Sequence, residues 1–420
     1  MIYDMIVIGA GASGMTAAVC AADPNMISDK QTDPASKKQL KILLLEKNKK
    51  IGKKIYATGN GKCNFTNERM GTEYFRGDKR LIDASLGKFT ERDTIEFLNG
   101  IGVAAKNKNG YYYPNSESAA SVLKALEMEA KRLGIRVYTS VEILDIKTEQ
   151  TGFDILVSGF KYVCEKLIIA TGLLASPKLG SDGSIFPILE KLGHSFSRIN
   201  PALCGLKCHG FDFKRASGVR CQARVSVYVD GELTDSDKGE LQIADYGISG
   251  IPVFQISRFA ADAVASNRKC SVQIDFCPEY ENAELVELLK KYRSIIADSF
   301  TFADLLNGIF NEKLAASLLK QADLSEKKPI GQIENEEITE LVKVIKQTEI
   351  LVDQARGYDF AQVCAGGIRT EEINIDTLES RLVKNMYFAG EILDVDGICG
   401  GYNLQWAWTS GFIAGSSVNR

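Results

Sequence analysis

Histidine and tryptophan are almost missing from this chain: 420 residues contain two of each, and the histidines are His194 and His209. Neither histidine stands in a hydrolase-like context, so a histidine-based nucleophilic triad is not expected. No apolar run approaches the roughly 18 residues that a membrane helix needs, and no charged stretch leads into a short apolar segment near Met1. A cytoplasmic chain without a membrane partner is the expectation. Charge of one sign is also missing: 51 Lys and Arg face 54 Asp and Glu, a formal net charge of -3. That balance gives no global basic footprint for nucleic acid, although a local basic groove stays open. Ten cysteines are present, yet C-x-x-C spacing is not. The nearest grouping, Cys204, Cys208, His209 and Cys221, lacks paired ligand spacing, so no metal site is expected and the thiols read as reduced.

Against these absences, the stretch from Ile6 to Gly14 (IVIGAGASG) stands out. Four apolar residues end in a G-x-G-x-x-G turn that runs into the small residues Met15 to Ala22, the order strand, tight turn, helix. In a dinucleotide-binding turn Gly9 permits the reversal, Gly11 lets the backbone approach a pyrophosphate, and Gly14 lets the helix pack closely on the strand. The helix start, with Ala12 and Ser13, offers free N–H groups and the positive dipole end to phosphate. Lys41 to Glu46 (KILLLE) reads as a buried parallel strand ending in an acid, and Glu46 is the candidate for the ribose hydroxyls. Asp23 to Gln39 between them is polar and aperiodic, a surface loop that lengthens the spacing.

Further along, Lys47 to Asn67 is rich in Gly, Asn, Thr and Lys in a specific order. Its backbone N–H groups around Gly59, Asn60 and Gly61 suit a pyrophosphate or the polar edge of a flavin. Lys79 to Gly100 and Ser118 to Leu133 read as helices. Strands at Arg136 to Tyr138, Glu142 to Ile146, Phe153 to Val157 and Tyr162 to Ile169 suggest an antiparallel ribbon returning to the main sheet. The return closes on Ala170, Thr171 and Gly172. From about Ser195 the pattern turns to alternating strands, and Asn282 to Leu351 is largely helical: Thr301 and Asp304 form a capping box, and Asn335 precedes the stripe Ile338, Leu341, Val342 and Ile345. Asn385 to Glu391 reads as a last parallel strand, followed by a helix from Tyr402 to Ser416.

Six segments together carry a resemblance: GAGASG at Gly9, KKIYATGNGKCNFTN at Lys53, IATGLLASPKLGSDG at Ile169, GELQIADYGISG at Gly239, CAGGI at Cys364 and YFAGEILDVDGICGGYNLQWAWTSGFIAG at Tyr387. The chain resembles the BaiN/RdsA-type NAD(P)/FAD-dependent oxidoreductases along essentially its whole length. The resemblance implies an α/β fold, a discontinuous Rossmann-like FAD-binding domain (1–194 and 355–420) with an inserted β-barrel-like domain (195–280) and a helical segment (281–354). It implies FAD held by Gly9, Gly11, Ala12, Ser13, Gly14, Glu46, Lys47, Lys54, Thr58, Gly59, Asn60, Cys63, Asn64, Val141, Ala170, Thr171 and Gly172. From the closing segment Gly390, Glu391, Asp394, Gly400, Gly401, Tyr402 and Asn403 would join them.

NAD(P)H is implied as a transient electron donor, since no second G-x-G-x-x-G follows a strand. The implied chemistry is reduction of a carbonyl-conjugated C=C bond, with a 3-oxo-Δ4,6 bile-acid intermediate, a steroid enone, as the substrate expected first. The alternatives are a dihydrouridine synthase acting on ribosomal RNA, for which Lys207, Lys214, Arg215, Arg220 and Arg224 would be the basic stripe, and an amine oxidase. Two departures from the family pattern stand out. Thr171-Gly172-Leu173 replaces TGG, and Ile243 to Gly247 (IADYG) replaces FTHYG, so a histidine acid is missing and Asp245 or Tyr246 is the candidate proton donor.

Overall fold

The structure is a computed structural model that describes residues 2–23 and 39–419, so the polar loop expected after Asp23 lies almost wholly outside the described residues. The chain divides into two compact units, Met1–Ile199 with Val363–Arg420, and Asn200–Gln362.

In the first unit the strand Ile2–Ile8 occupies the middle of a seven-stranded sheet. It pairs in parallel with Ile42–Leu45 on one side and with Phe160–Ile169 on the other. These segments are near-continuous apolar runs because both faces of a parallel sheet are covered. Arg136–Tyr138 extends the parallel sheet beyond Ile42–Leu45, so it belongs to the main sheet and not to the ribbon. The ribbon itself consists of Asp145–Glu149 and Gly152–Val157, antiparallel to each other, and it joins the first half of Phe160–Ile169. The second half of that long strand pairs in parallel with Met386–Phe388, which brings the last part of the chain into the sheet.

Helix Ala12–Ala22 follows the first strand and packs against the terminal helix Tyr402–Ser417. Two glycines allow the approach: a Cβ at Gly411 would come within 2.5 Å of the Ser13 carbonyl, and one at Gly415 within 2.3 Å of the Ala17 carbonyl. The helix expected over Lys79 to Gly100 is two, Lys79–Leu86 and Glu91–Gly100. The break falls where Thr90 accepts from the Asp93 N–H while Asp93 reaches back to the Thr90 N–H, a capping box that starts a new helix.

The second unit holds a closed barrel of six strands, in order Leu206–His209, Gly247–Gly250, Glu232–Ala244, Arg220–Val229, Cys270–Asp275 and Thr348–Ala355, closed by pairing of the last with the first. Helices between Cys270–Asp275 and Thr348–Ala355, among them Asn282–Ile295, Glu312–Gln321 and Asn335–Lys346, form no third unit. Leu285, Leu289, Leu314, Ile338 and Leu341 are buried in one continuous apolar cluster with the barrel residues Val225, Val227 and Ile274. Short amphipathic helices cannot bury their apolar stripes alone, so they share the barrel's core. The cap of the last of these helices is Glu334, paired with Glu337 in a capping box, one residue before the expected Asn335. Among the described residues no helix is long and apolar enough to cross a membrane.

Candidate functional site

The first unit assembles most of the expected residues around the turn after its opening strand. Gly9 has a left-handed φ of 103°, and a Cβ on it would lie 2.4 Å from the Ala170 carbonyl oxygen. At Gly14 a Cβ would lie 1.9 Å from the Gly9 carbonyl oxygen, whereas at Gly11 it would meet nothing within 4 Å. So two glycines are demanded by the protein's own packing, and the third leaves backbone open to a ligand. Ala170 N–H donates to the Ile8 carbonyl, which seats Ala170, Thr171 and Gly172 beside the turn. Helix Ala12–Ala22 begins without a side-chain cap, so its first N–H groups stay available to an anion.

Glu46 is buried at the end of the second strand. Its Oε2 accepts the Ala10 N–H at 2.9 Å, and its Oε1 accepts from the backbone and side-chain nitrogens of Asn48 at 2.8 and 2.9 Å. The carboxylate thus ties the glycine turn to the next strand and keeps lone pairs for a hydroxyl. Val141 N–H donates to the Glu46 carbonyl, which places Val141 at the same edge. The Lys47 ammonium is paired with carboxylates: its Nζ lies 2.7 Å from Asp182 and 3.4 Å from Glu142, and the Asp182 hydrogen bond holds its pKa above the ordinary range. Lys54 instead pairs with Glu391 at 2.6 Å, joining the two ends of the chain.

The segment Thr58 to Asn64 is tightly folded. Thr58 Oγ1 donates to the Ile55 carbonyl at 2.6 Å, and Gly59, Asn60 and Cys63 all take left-handed backbone. The Cys63 thiol is fully buried and pushed up to about 12 by desolvation, so it is an inert packing group. Asn64 Oδ1 is buried with no hydrogen-bond partner. A buried acceptor left bare costs about 1–3 kcal/mol, which a bound donor would recover.

From the closing segment, Ser13 Oγ donates to the Ala389 carbonyl, and Gly390 N–H donates to Ser410 Oγ. A Cβ at Gly390 would lie 2.4 Å from Ser13 Oγ. Asp394 accepts from Ser197 Oγ at 2.6 Å. Gly400 and Gly401 lead into the terminal helix, and Gly401 caps it without a side chain. Tyr402 and Asn403 turn their side chains into the protein. Tyr402 stacks on Tyr74 with ring centroids 4.9 Å apart, and burial holds its phenol far above the ordinary value. The Asn403 amide accepts from Gly397 N–H and donates to Gly397 carbonyl. Their backbones, not their side chains, are therefore what a ligand would meet.

Sequence reasoning missed Gln405. One turn into the helix, its Oε1 accepts from Thr66 Oγ1 at 2.6 Å and Thr94 Oγ1 at 2.9 Å, and its Nε2 donates to Thr409 Oγ1 at 2.9 Å. This buried network fixes the helix start. The available signal was an amide set between Leu404 and Trp406 on a largely buried helix.

Open backbone at Gly11, a bare acceptor at Asn64, the acid Glu46 and two helix starts without side-chain caps are groups of the kind that bind a dinucleotide.

The candidate proton donors lie in the second unit, in the two-residue turn between Glu232–Ala244 and Gly247–Gly250. Asp245 is exposed, while Tyr246 is half-buried. Arg356 Nη1 donates to the Tyr246 hydroxyl at 3.2 Å, and its guanidinium carbon lies 4.4 Å from the Tyr246 ring centroid and 3.5 Å from that of Phe360. Arg356 was not foreseen, because it is distant in sequence from the turn it serves. Of the residues expected in a basic stripe, Arg215 and Arg220 are paired with Glu326 and Glu240.

Known proteins resemble the chain along its length. A 3-dehydro-bile acid delta(4,6)-reductase from Clostridium scindens is 40% identical over 98% of each chain. A ribosomal RNA dihydrouridine synthase from Escherichia coli is 29% identical, covering 99% of this chain and 98% of the other. Among solved structures, a 3-ketosteroid-Δ4-(5α)-dehydrogenase from Rhodococcus jostii in complex with 4-androstene-3,17-dione shares the fold, with a TM-score of 0.51, 15% identity, and coverage of 100% of this chain and 97% of that one. The model of the HI0933-like protein Rossmann domain matches residues 3–417, and the chain belongs to that family.

Proposed function

We propose that this chain is an oxidoreductase of the cytoplasm: an FAD-dependent, NAD(P)H-linked reductase of C=C bonds conjugated to a carbonyl, acting on a 3-oxo-Δ4,6 bile-acid intermediate. The likeness to the bile-acid reductase, spanning nearly all of both proteins, carries this reading. The dinucleotide donor set of the first unit supports it. FAD, once reduced by the nicotinamide donor, supplies a hydride for an electron-poor carbon.

The chain's own residues bind and supply protons. The start of helix Ala12–Ala22 would hold the pyrophosphate, Glu46 the adenosine ribose, and Asn64 Oδ1 would accept from the cofactor. The start of helix Tyr402–Ser417, through its dipole, would favour negative charge on the ring system. Tyr246 is the proton donor favoured over Asp245, because the aspartate sits exposed on a turn while the phenol is held in place by Arg356.

Anaerobic reduction of the purified protein by NADH or NADPH, followed by addition of a 3-oxo-Δ4,6 bile acid, tests the reading. The expected result is a yellow protein that bleaches with the donor and recovers its colour with the steroid. Recovery with uridine-containing RNA instead would transfer the assignment to the dihydrouridine synthase reading. A colourless protein that takes up no flavin would end both.

A further inference from the structure

Arg356 is half-buried, and among the described residues no carboxylate lies within ion-pair distance of it. A guanidinium removed partly from water is normally matched by an acid. Here it is matched by two rings and one phenol. Its backbone N–H donates to the Gly205 carbonyl, which fixes the start of the side chain. Gly205 also leaves the space: a Cβ there would lie 3.0 Å from the Tyr246 hydroxyl and 3.3 Å from Arg356 Cδ. Phe360, 57% exposed, covers the guanidinium from solvent at 3.5 Å.

The direction of the hydrogen bond decides what this cluster can do. Arginine has donors and no acceptor, so the Tyr246 oxygen must be the acceptor, and its own hydrogen is not spent on Arg356. Among the described residues the Tyr246 hydroxyl has no acceptor of its own. The phenol is therefore held in one place with its proton still to give.

We propose that Arg356 is a positioning residue that holds the Tyr246 phenol, proton outward, beside a carbonyl-conjugated substrate. This rests on the reductase reading above. In the reaction a hydride adds to the β-carbon, the C=C π bond breaks, and its electron pair moves through the α-carbon onto the carbonyl oxygen. The Tyr246 proton then goes to the α-carbon and the carbonyl re-forms. The nicotinamide donor has lost one hydride, which carries two electrons, the substrate has gained that hydride and one proton, and water reprotonates the phenolate. The negative charge left on Tyr246 forms against a cation already in place, which needs no reorganisation.

The test compares Tyr246→Phe, Arg356→Ala, Arg356→Lys and the double variant Tyr246→Phe/Arg356→Ala, with 3-oxo-Δ4,6 bile acid as the probe. Flavin content and bleaching by NADH are followed separately to show that each variant is folded and loaded. Arg356→Ala should lower kcat about 10- to 100-fold, less than the roughly 10²- to 10⁴-fold of losing the proton donor itself, and leave KM within about threefold. Arg356→Lys or added guanidine should recover part of the rate. Because Arg356 acts through Tyr246, the double variant should be no slower than Tyr246→Phe alone. Independent, multiplying effects in the double variant, or a loss confined to KM, would overturn the proposal while leaving the reductase reading intact. A flavin-loaded wild-type protein that no steroid enone reoxidises would overturn the reductase reading, and this proposal with it.

Discussion

The Lys54 ammonium meets the Glu391 carboxylate at 2.6 Å, although 337 positions of sequence separate them. The other oxygen of Glu391 accepts the Cys364 N–H at 2.9 Å. One carboxylate therefore joins an early segment, the C-A-G-G-I segment and the closing segment. Glu391→Ala would leave a backbone N–H and a mostly buried ammonium without their acceptor, a loss of about 1–3 kcal/mol. The expected outcome is a lower urea midpoint and a lower ratio of flavin to protein absorbance after gel filtration. Glu391→Gln, which can still accept the N–H, should lose less.

Gly11 and Gly14 should separate folding from cofactor retention. Alanine at Gly14 would drive a Cβ to 1.9 Å from backbone, while at Gly11 it meets no protein atom within 4 Å. Gly14→Ala should destabilise by about 1–3 kcal/mol, as overpacking does, and lose flavin as a result. Gly11→Ala should keep its stability within about 0.5 kcal/mol yet purify with much less flavin. Equal stability losses in the two would contradict a ligand-facing role for Gly11.

Tyr246 and Asp245 are adjacent in sequence, and kinetics should tell them apart. Tyr246→Phe removes the only proton the phenol can give and should lower kcat for enone reduction about 10²- to 10⁴-fold. Asp245→Asn, at an exposed site, should change kcat less than about threefold, as surface substitutions usually do. Steady-state assays of the two variants with one substrate decide this.

His194 gives stability a pH dependence. It is buried, its Nε2 lies 2.8 Å from Ser380 Oγ, and Phe388 meets the ring edge-on at 5.0 Å. Desolvation lowers its pKa, against an opposing pull from Glu372. The unfolded chain therefore binds a proton at a higher pH than the folded one. The stabilisation is present above an unfolded value of about 6.5 and is lost as the pH falls from there to the depressed folded value, by at most about 1.4 kcal/mol per pH unit. Urea midpoints between pH 5 and 8 should show this slope, and His194→Gln should flatten it.

Thiol chemistry should find little to react with. Eight of the ten cysteines are buried, and Cys63, Cys164 and Cys364 are each pushed up to about 12 by burial. In native protein at pH 8 a disulfide reagent should label at most two thiols quickly, Cys221 and Cys399 being the two with partial exposure. All ten should react in denaturant.

What sequence could reveal followed from how local each feature is. The turn from Gly9 to Gly14 and the acid Glu46 are legible because strand, turn and helix spacing is written in a few consecutive residues. The closing segment was legible as a motif, but the directions of its side chains were not: Tyr402 stacks on Tyr74 from a distant segment, and Asn403 folds back onto Gly397 within the segment itself. Lys47 is implied as a cofactor contact by the resemblance alone, and the ion pair of its side chain with Asp182, far along the chain, is not visible in local sequence. Gln405 and Arg356 escaped for the same reason, since their partners Thr66, Thr94 and Tyr246 come from distant segments. The three pieces expected became two units because alternation and helical stripes show which residues are buried without showing against what.

The placing of Asn200–Gln362 between the two parts of the first unit sets an order for synthesis. Strand Met386–Phe388 and helix Tyr402–Ser417 leave the ribosome after Asn200–Gln362, while the strand beside them in the sheet and the helix they cover were made long before. The barrel unit has all its strands once Thr348–Ala355 has emerged, and it can fold while translation continues. The turn at Gly9 stays uncovered until Met386–Phe388 and helix Tyr402–Ser417 have been made. A stop codon that removes helix Tyr402–Ser417 would spare the barrel strands while leaving helix Ala12–Ala22 without the neighbour that packs against it.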